Sequence, residues 1–165
     1  MPKLKHMCVF LMLRFVGLGL VFGQETQWLK KNLGTGEDVY QFSVKDGLSP
    51  NQLHQQYPIR FEIEWTYSQL EHLDQVSSVE LKQIQTFEEE LQKALNAGQI
   101  GIWVAGFFSL KSQRWILYVK GEEVAYKMMA ELDKFLPEAK YLEIFEEEDL
   151  DWKEYKQLKE LILDP

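Results

Sequence analysis

Apolar and polar side chains alternate most clearly over Ile59–Ser68. Phe61, Ile63, Trp65 and Tyr67 share one side of this segment, and polar residues share the other. A period of two is typical of a strand with one buried and one solvated face. The pattern therefore predicts a half-buried strand whose second face is open to water.

A long helix is predicted after this strand, with a signal at each end. Ser77-Ser78-Val79-Glu80 matches a capping box, and Gly98 is placed to end the helix in a left-handed conformation. Alternation also predicts a strand at Val39–Lys45, whereas Ile100–Ser109 and Arg114–Lys120 are apolar on both faces and predict a hairpin near the interior of the sheet. A further strand is predicted at Tyr141–Phe145, and apolar stripes at helical spacing predict helices at Ser77–Ala97, Glu122–Leu136 and Asp149–Leu163.

The order of these elements indicates an α+β fold. A first strand precedes strand–helix–strand–strand–helix–strand, and a last helix follows. The middle six elements match a ferredoxin-like antiparallel sheet with helices on one face, here with an extra N-terminal strand and a C-terminal helix. No repeat or linker interrupts residues 24–165, so we expect one domain there.

Residues 1–23 differ in kind from the rest. A basic start is followed by apolar runs on either side of Arg14 and by the small-residue exit Val21-Phe22-Gly23. This layout is typical of a secretory signal peptide and predicts a periplasmic or secreted protein. Two alternatives stay open: an uncleaved membrane anchor, or a misassigned start site in a cytoplasmic protein.

Charge and composition exclude several classes of function. The 165 residues carry a net charge of −8, and residues 24–165 alone carry 15 basic and 26 acidic groups, a net charge of −11. Nucleic-acid binding depends on lysine and arginine clusters, so we expect no nucleic-acid partner. The one cysteine, Cys8, excludes an intramolecular disulfide and a cysteine-based zinc site, and no other metal or cofactor is expected.

Three stretches of the chain resemble a known family. They are Glu88-Glu89-Glu90-Leu91, Gly106 with Arg114-Trp115-Ile116-Leu117-Tyr118, and Asp149-Leu150-Asp151-Trp152-Lys153-Glu154-Tyr155. Together they are similar to the bacterial family called domain of unknown function 695, over roughly residues 36–158. The turn Leu110–Gln113 departs from it by lacking a glycine. Because that family sometimes accompanies domains like the ribonuclease E regulator B, the resemblance implies regulation through protein binding.

Candidate chemistry lies first on the polar side of Ile59–Ser68. Glu62 and Glu64 project from the same face, about 6.6 Å apart along the strand. Two carboxylates at such a distance can carry acid–base hydrolysis. A solvated face that also includes Arg60 explains them equally well, and Arg60, Glu62 and Glu64 are candidates for binding on that face.

Four further residues are candidates for binding. Arg114 and Tyr118 share one face of their strand, where they can line a recognition surface, or Arg114 can pair with Glu62 or Glu64. Trp152 and Tyr155 are three positions apart on the last helix, a spacing that suits either a ligand platform or a core-sealing pair.

Other polar features point to no catalytic residues. His6 lies in the leader, and His54 and His72 lie in separate polar loops without a nearby Asp–Ser or Asp–Cys partner. The acidic run Glu146–Asp149 lacks a calcium-loop pattern. We expect these acids to form a strand-to-helix junction that favours the helix N-terminus.

These observations together predict a non-enzymatic binding or regulatory domain. Its open sheet face, or its acidic end, would receive a basic protein partner. A hydrolase that uses Glu62 or Glu64, and a membrane-tethered envelope protein held by residues 1–23, remain the alternatives.

Overall fold

The computed structural model describes residues 27–34, 40–68, 70–71, 75–137, 140 and 142–164. The predicted signal peptide or membrane anchor at residues 1–23 lies outside this part of the chain, as do His6 and His72. None of the helices within it is both long enough and apolar enough to cross a membrane.

Eight strands and four helices make up this part of the chain. The strands are β1 Trp28–Leu33, β2 Tyr40–Lys45, β3 Ile59–Thr66, β4 Leu70–Glu71, β5 Gln75–Val76, β6 Gly101–Phe108, β7 Ser112–Val119 and β8 Glu143–Glu148. The helices are α1 Pro50–Leu53, α2 Ser78–Ala97, α3 Glu122–Leu132 and α4 Lys153–Leu163, and a 3₁₀ turn, Asp133–Phe135, extends α3.

Six strands form one antiparallel sheet in the order β1-β2-β6-β7-β3-β8. Strands β3, β6, β7 and β8 with α2 and α3 have the order of a ferredoxin-like unit, which confirms the predicted fold class. β2 is the predicted extra N-terminal strand. β1 is an additional edge strand that the hydrophobic pattern does not predict.

The first face of the sheet packs against α2 and α3. Its core is built from the apolar stripes of the two helices and the inward residues of β3, β6 and β7: Phe61, Ile63, Trp65, Ile84, Phe87, Leu91, Leu95, Trp103, Trp115, Leu117, Val119, Ala125, Met128, Met129 and Leu132. The apolar side of β3 therefore packs against the apolar stripe of α2, as the sequence pattern predicts.

The second face is not uniformly solvated, in contrast to the prediction. α4 packs across β1, β2 and β6 and buries a second core of Phe42, Val44, Tyr57, Val104, Ala105, Ile116, Tyr118, Trp152, Tyr155 and Leu158. The β3–β8 side of this face carries charged residues instead. Because a short helix covers only part of a wide sheet, the second face is divided into an apolar half and a polar half.

The ends of α2 are partly as predicted. The hydroxyl of Ser77 accepts a hydrogen bond from Glu80 N at 3.1 Å, as an N-cap should. The prediction for Gly98 is wrong, because its φ is −99° and the left-handed residue is Gln99, with a φ of 45°. Ile100 N then bonds to the carbonyl of Leu95 at 3.0 Å and closes the helix end.

The acidic run lies in a strand and not in a junction. The pattern predicts that the strand ends at Phe145, but β8 continues to Glu148. Pairing with β3 outweighs the low strand propensity of consecutive glutamates. Asp149 alone of this run serves the start of α4, so Glu146–Glu148 are displayed along the edge of the sheet.

Candidate functional site

Arg60 joins three elements on the polar half of the second face. Its guanidinium contacts Glu62 Oε1 of the same strand at 3.2 Å, Glu147 Oε2 of β8 at 2.7 Å and Glu154 Oε2 of α4 at 3.2 Å. The planar fork of arginine suits such multiple contacts. Arg60 thus fixes the position of β8 and of the first turn of α4 relative to β3.

Arg114 makes the corresponding contacts from β7. It lies opposite Glu64 in the strand register, and its Nη2 reaches Glu64 Oε2 at 3.0 Å. Its Nη1 is 3.7 Å from Glu62 Oε2. The cross-strand pairing considered from the sequence is therefore present, and Arg60 and Arg114 hold Glu62 between them.

Glu62 is the most buried member of this group, with 8% of its surface exposed. Burial raises the pKa of its carboxyl, and the positive charges of Arg60 and Arg114 oppose that effect without overcoming it. The carboxylate of Glu62 is therefore held in place by two guanidiniums, and Glu64 lies two residues along the same face of β3.

Phe145 belongs to the same surface, although the sequence analysis does not name it as a candidate site residue. Register places it opposite Glu62, and 52% of its surface is exposed. Glu143 and Glu147 flank it on the same face of β8. Its place on this face follows from the pairing of β8 with β3, which the sequence pattern does not show.

We call this surface the acidic face. Its members are Arg60, Glu62 and Glu64 of β3, Arg114 of β7, Glu143, Phe145 and Glu147 of β8, and Glu154 of α4. Five carboxylates oppose two guanidiniums, a net charge of −3. The predicted residues Arg60, Glu62, Glu64 and Arg114 are thus brought together, with an aromatic ring beside them.

The remaining candidates lie in the core beneath α4. Tyr118 and Trp152 stack with ring centroids 4.2 Å apart, and Trp152 packs edge-on against Tyr155 at 5.7 Å. Trp152 Nε1 donates to the carbonyl of Tyr57 at 2.7 Å, and Tyr155 Oη donates to that of Lys45 at 2.8 Å. This arrangement is the core-sealing alternative, in which the aromatic pair attaches α4 to the sheet.

The sequence pattern places the start of the last helix at Asp149, but α4 begins at Lys153, and Asp149 connects its first turn to β7. It accepts hydrogen bonds from Tyr118 Oη at 2.5 Å, Lys153 N at 2.8 Å and Glu154 N at 3.0 Å. Burial raises the pKa of Asp149, but the bonds from Tyr118 and from the two backbone N–H groups outweigh it, so that the pKa lies below its usual range. Burial and Asp149 together raise the pKa of Tyr118.

We predict opposite results for two tyrosine-to-phenylalanine changes. Tyr118→Phe removes a hydrogen bond to a charged acceptor and should lower the free energy of unfolding by about 2 kcal/mol. The hydroxyl of Tyr67 is buried and has no hydrogen-bond partner in the described structure, so Tyr67→Phe should leave stability unchanged or raise it. Urea unfolding of both variants tests this, and equal losses of stability would contradict it.

Two further acids, on α2, lie at the edge of the first-face core. Glu80 accepts from Trp65 Nε1 at 2.9 Å and pairs with Lys140 Nζ at 2.9 Å. Glu88 accepts from Trp115 Nε1 at 2.8 Å and from Gln113 Nε2. The sequence places Glu80 in the capping box and Glu88 in the family-like stretch, but it does not show that they accept hydrogen bonds from buried tryptophans. Burial raises the pKa of Glu88 to about 7, despite these two hydrogen bonds.

The raised pKa of Glu88 predicts a pH-dependent stability. Its contribution is full below about pH 4.5, where the carboxyl is protonated in both folded and unfolded chains, and is lost as pH rises through about 7. Unfolding free energy should fall by about 2–3 kcal/mol from this group between pH 5 and pH 8.

Glu88→Gln should remove that part of the pH dependence. Glu89→Gln, at the exposed neighbouring position, is the control and should retain it. Chemical denaturation of the three proteins across this pH range measures the difference. A Glu88→Gln profile parallel to that of the unmodified chain would contradict the assignment.

Concave sites lie elsewhere on the described surface. Two depressions of the described surface are open to solvent: one follows the outer side of α4 from Gln157 to Asp164, and the other lies between α4 and the Leu48–Asn51 segment, where Tyr155 contributes to the lining. Glu62 and Glu64 line neither. No group of three or more His, Cys, Asp or Glu side chains within the described ranges is arranged to hold a metal ion.

Comparison with known proteins adds no relative. No family model, no curated protein and no solved structure matches the chain. The resemblance to domain of unknown function 695 therefore stays a prediction, and the function must be inferred from the surface itself.

Proposed function

We propose that this chain is a non-enzymatic binding domain whose acidic face receives a lysine- or arginine-rich segment of a partner protein. The observation that carries the proposal is Phe145, which is 52% exposed and flanked by Glu143 and Glu147 on the edge strand. A basic side chain can lay its apolar stem or its cation on the phenyl ring and its charge beside the carboxylates.

Preorganisation of the acidic face also supports binding. Arg60 holds Glu62, Glu147 and Glu154, and Arg114 holds Glu64, at distances of 2.7–3.2 Å. Carboxylates that are already fixed lose little side-chain entropy when a partner binds. The chain's net charge of −8 would in addition attract a basic partner over a distance, more strongly at low salt.

A hydrolase is less well supported. Glu62 and Glu64 are both engaged by Arg114, and neither lines either of the two open depressions described above. An acid–base pair needs room for substrate and water between its carboxyl groups. Here a guanidinium lies against both side chains.

A pair of charge reversals tests the proposal. The double variant Glu143→Lys with Glu147→Lys should weaken the binding of a fluorescent oligolysine peptide about tenfold or more, since it reverses charges beside Phe145. The control Glu89→Lys with Glu131→Lys changes net charge equally at exposed helical positions and should weaken binding less than about twofold.

Fluorescence anisotropy at low and high salt is the measurement. Phe145→Ala should also weaken binding, without any change in charge. Equal losses in the two double variants would show that only net charge matters. That outcome, or the absence of salt-sensitive binding, would overturn the proposal.

We also propose export of the protein to the periplasm or the medium, on the basis of the signal-peptide pattern of residues 1–23. Mass spectrometry of the N-terminal peptide from the producing cell should find Gln24 or a close neighbour as the first residue. Recovery of an intact Met1–Gly23 segment in the soluble cell interior would contradict it.

A further inference from the structure

The edge strand β8 offers a backbone as well as side chains. Within the described residues β8 pairs with β3 alone, so its outer side faces no other strand. An exposed edge strand presents N–H and C=O groups that another extended segment can pair with. Which residues present them can be read from the register.

Ile144, Glu146 and Glu148 direct their backbone groups outward. Asp149 N donates to the carbonyl of Pro58 at 2.9 Å, so this pair is of the hydrogen-bonded type. Hydrogen-bonded and non-hydrogen-bonded pairs alternate along an antiparallel ladder. Glu147, Phe145 and Glu143 therefore bond to β3, and the three residues between them present their N–H and C=O groups to solvent.

We infer that a lysine-rich segment of a partner protein binds as an added antiparallel strand along β8. This rests on the proposed function and specifies its geometry. Antiparallel addition continues the pattern of the whole sheet. The four glutamates of β8 favour lysine or arginine opposite them, and Phe145 and Ile144 favour apolar residues.

Charge decides the occupant of this edge. A second copy of β8 paired with itself would set glutamates opposite glutamates, and like charges directly across a ladder are destabilising. A basic extended segment instead neutralises Glu143, Glu146, Glu147 and Glu148. Six outward backbone groups supply affinity that does not depend on the partner's side chains.

The probe follows from this register. In the peptide Lys-Lys-Lys-Val-Val-Lys, laid antiparallel to β8, the lysines lie opposite the four glutamates. The valines lie opposite Phe145 and Ile144. The third residue lies opposite Glu146 and would exchange two backbone hydrogen bonds with it.

Glu146→Pro, compared with Glu146→Ala, separates backbone from charge. Both remove the same carboxylate and its contact with Tyr126 on α3, but only proline removes the outward N–H. Glu146→Ala should weaken peptide binding about two- to threefold, as expected for an exposed ion pair. Glu146→Pro should weaken it at least a further tenfold or so, because strand pairing is blocked.

A second experiment methylates the backbone of the peptide and leaves the protein unchanged. N-methylation of the third peptide residue should abolish binding, because that N–H points to β8, whereas N-methylation of the fourth residue should be tolerated. The comparison of the two methylated peptides still tests strand addition if Glu146→Pro fails to fold.

Equal affinities of Glu146→Pro and Glu146→Ala, with equal effects of the two N-methylations, would overturn strand addition while leaving the acidic face intact as a side-chain site. Failure of the unmodified protein to bind any lysine-rich peptide would overturn the proposed function itself. The two failures are therefore distinguishable.

Discussion

The division of the second sheet face depends on the length of α4. Eleven residues of helix extend about 16 Å, whereas six strands span about 24 Å. Within the described residues α4 packs on β1, β2 and β6 and reaches β7 through Tyr118, so it does not pack over β3 and β8 on this face. Charged side chains must occupy that remainder, and the acidic face is the result. The boundary between apolar and polar halves is thus set by geometry.

Arg60 lies at this boundary and connects its two sides. Glu154 on α4 and Glu147 on β8 are both its partners, and Tyr118 carries the neighbouring bond to Asp149. Contacts with three carboxylates largely offset the desolvation cost of partly burying the guanidinium. The same residue therefore contributes to the attachment of the helix and to the form of the binding surface.

The sequence predicts the ferredoxin-like core because its signals are local. The alternation in β3 and the stripe and cap of α2 are visible without knowledge of their neighbours. β1 is missed because it contains adjacent lysines, Lys30 and Lys31, and is only partly buried. The end of β8 is misplaced for a similar reason: a run of glutamates becomes a strand only through pairing with β3. Phe145 could not be assigned to the site before that pairing was known.

Lys31 connects the edge strand β1 to the end of α4. Its ammonium donates to the carbonyl of Leu161 at 3.1 Å and to that of Asp164, so the last turn of α4 lies beside β1. At the same edge, the carbonyl of Gln27 accepts a hydrogen bond from Asp46 N at 2.7 Å, next to the start of β1. β8 lies at the other end of the strand order, so the edge that α4 closes through Lys31 and the acidic edge are separated by the full width of the sheet. One edge of the sheet is thus covered by the chain's own last helix, and the other is left to a partner.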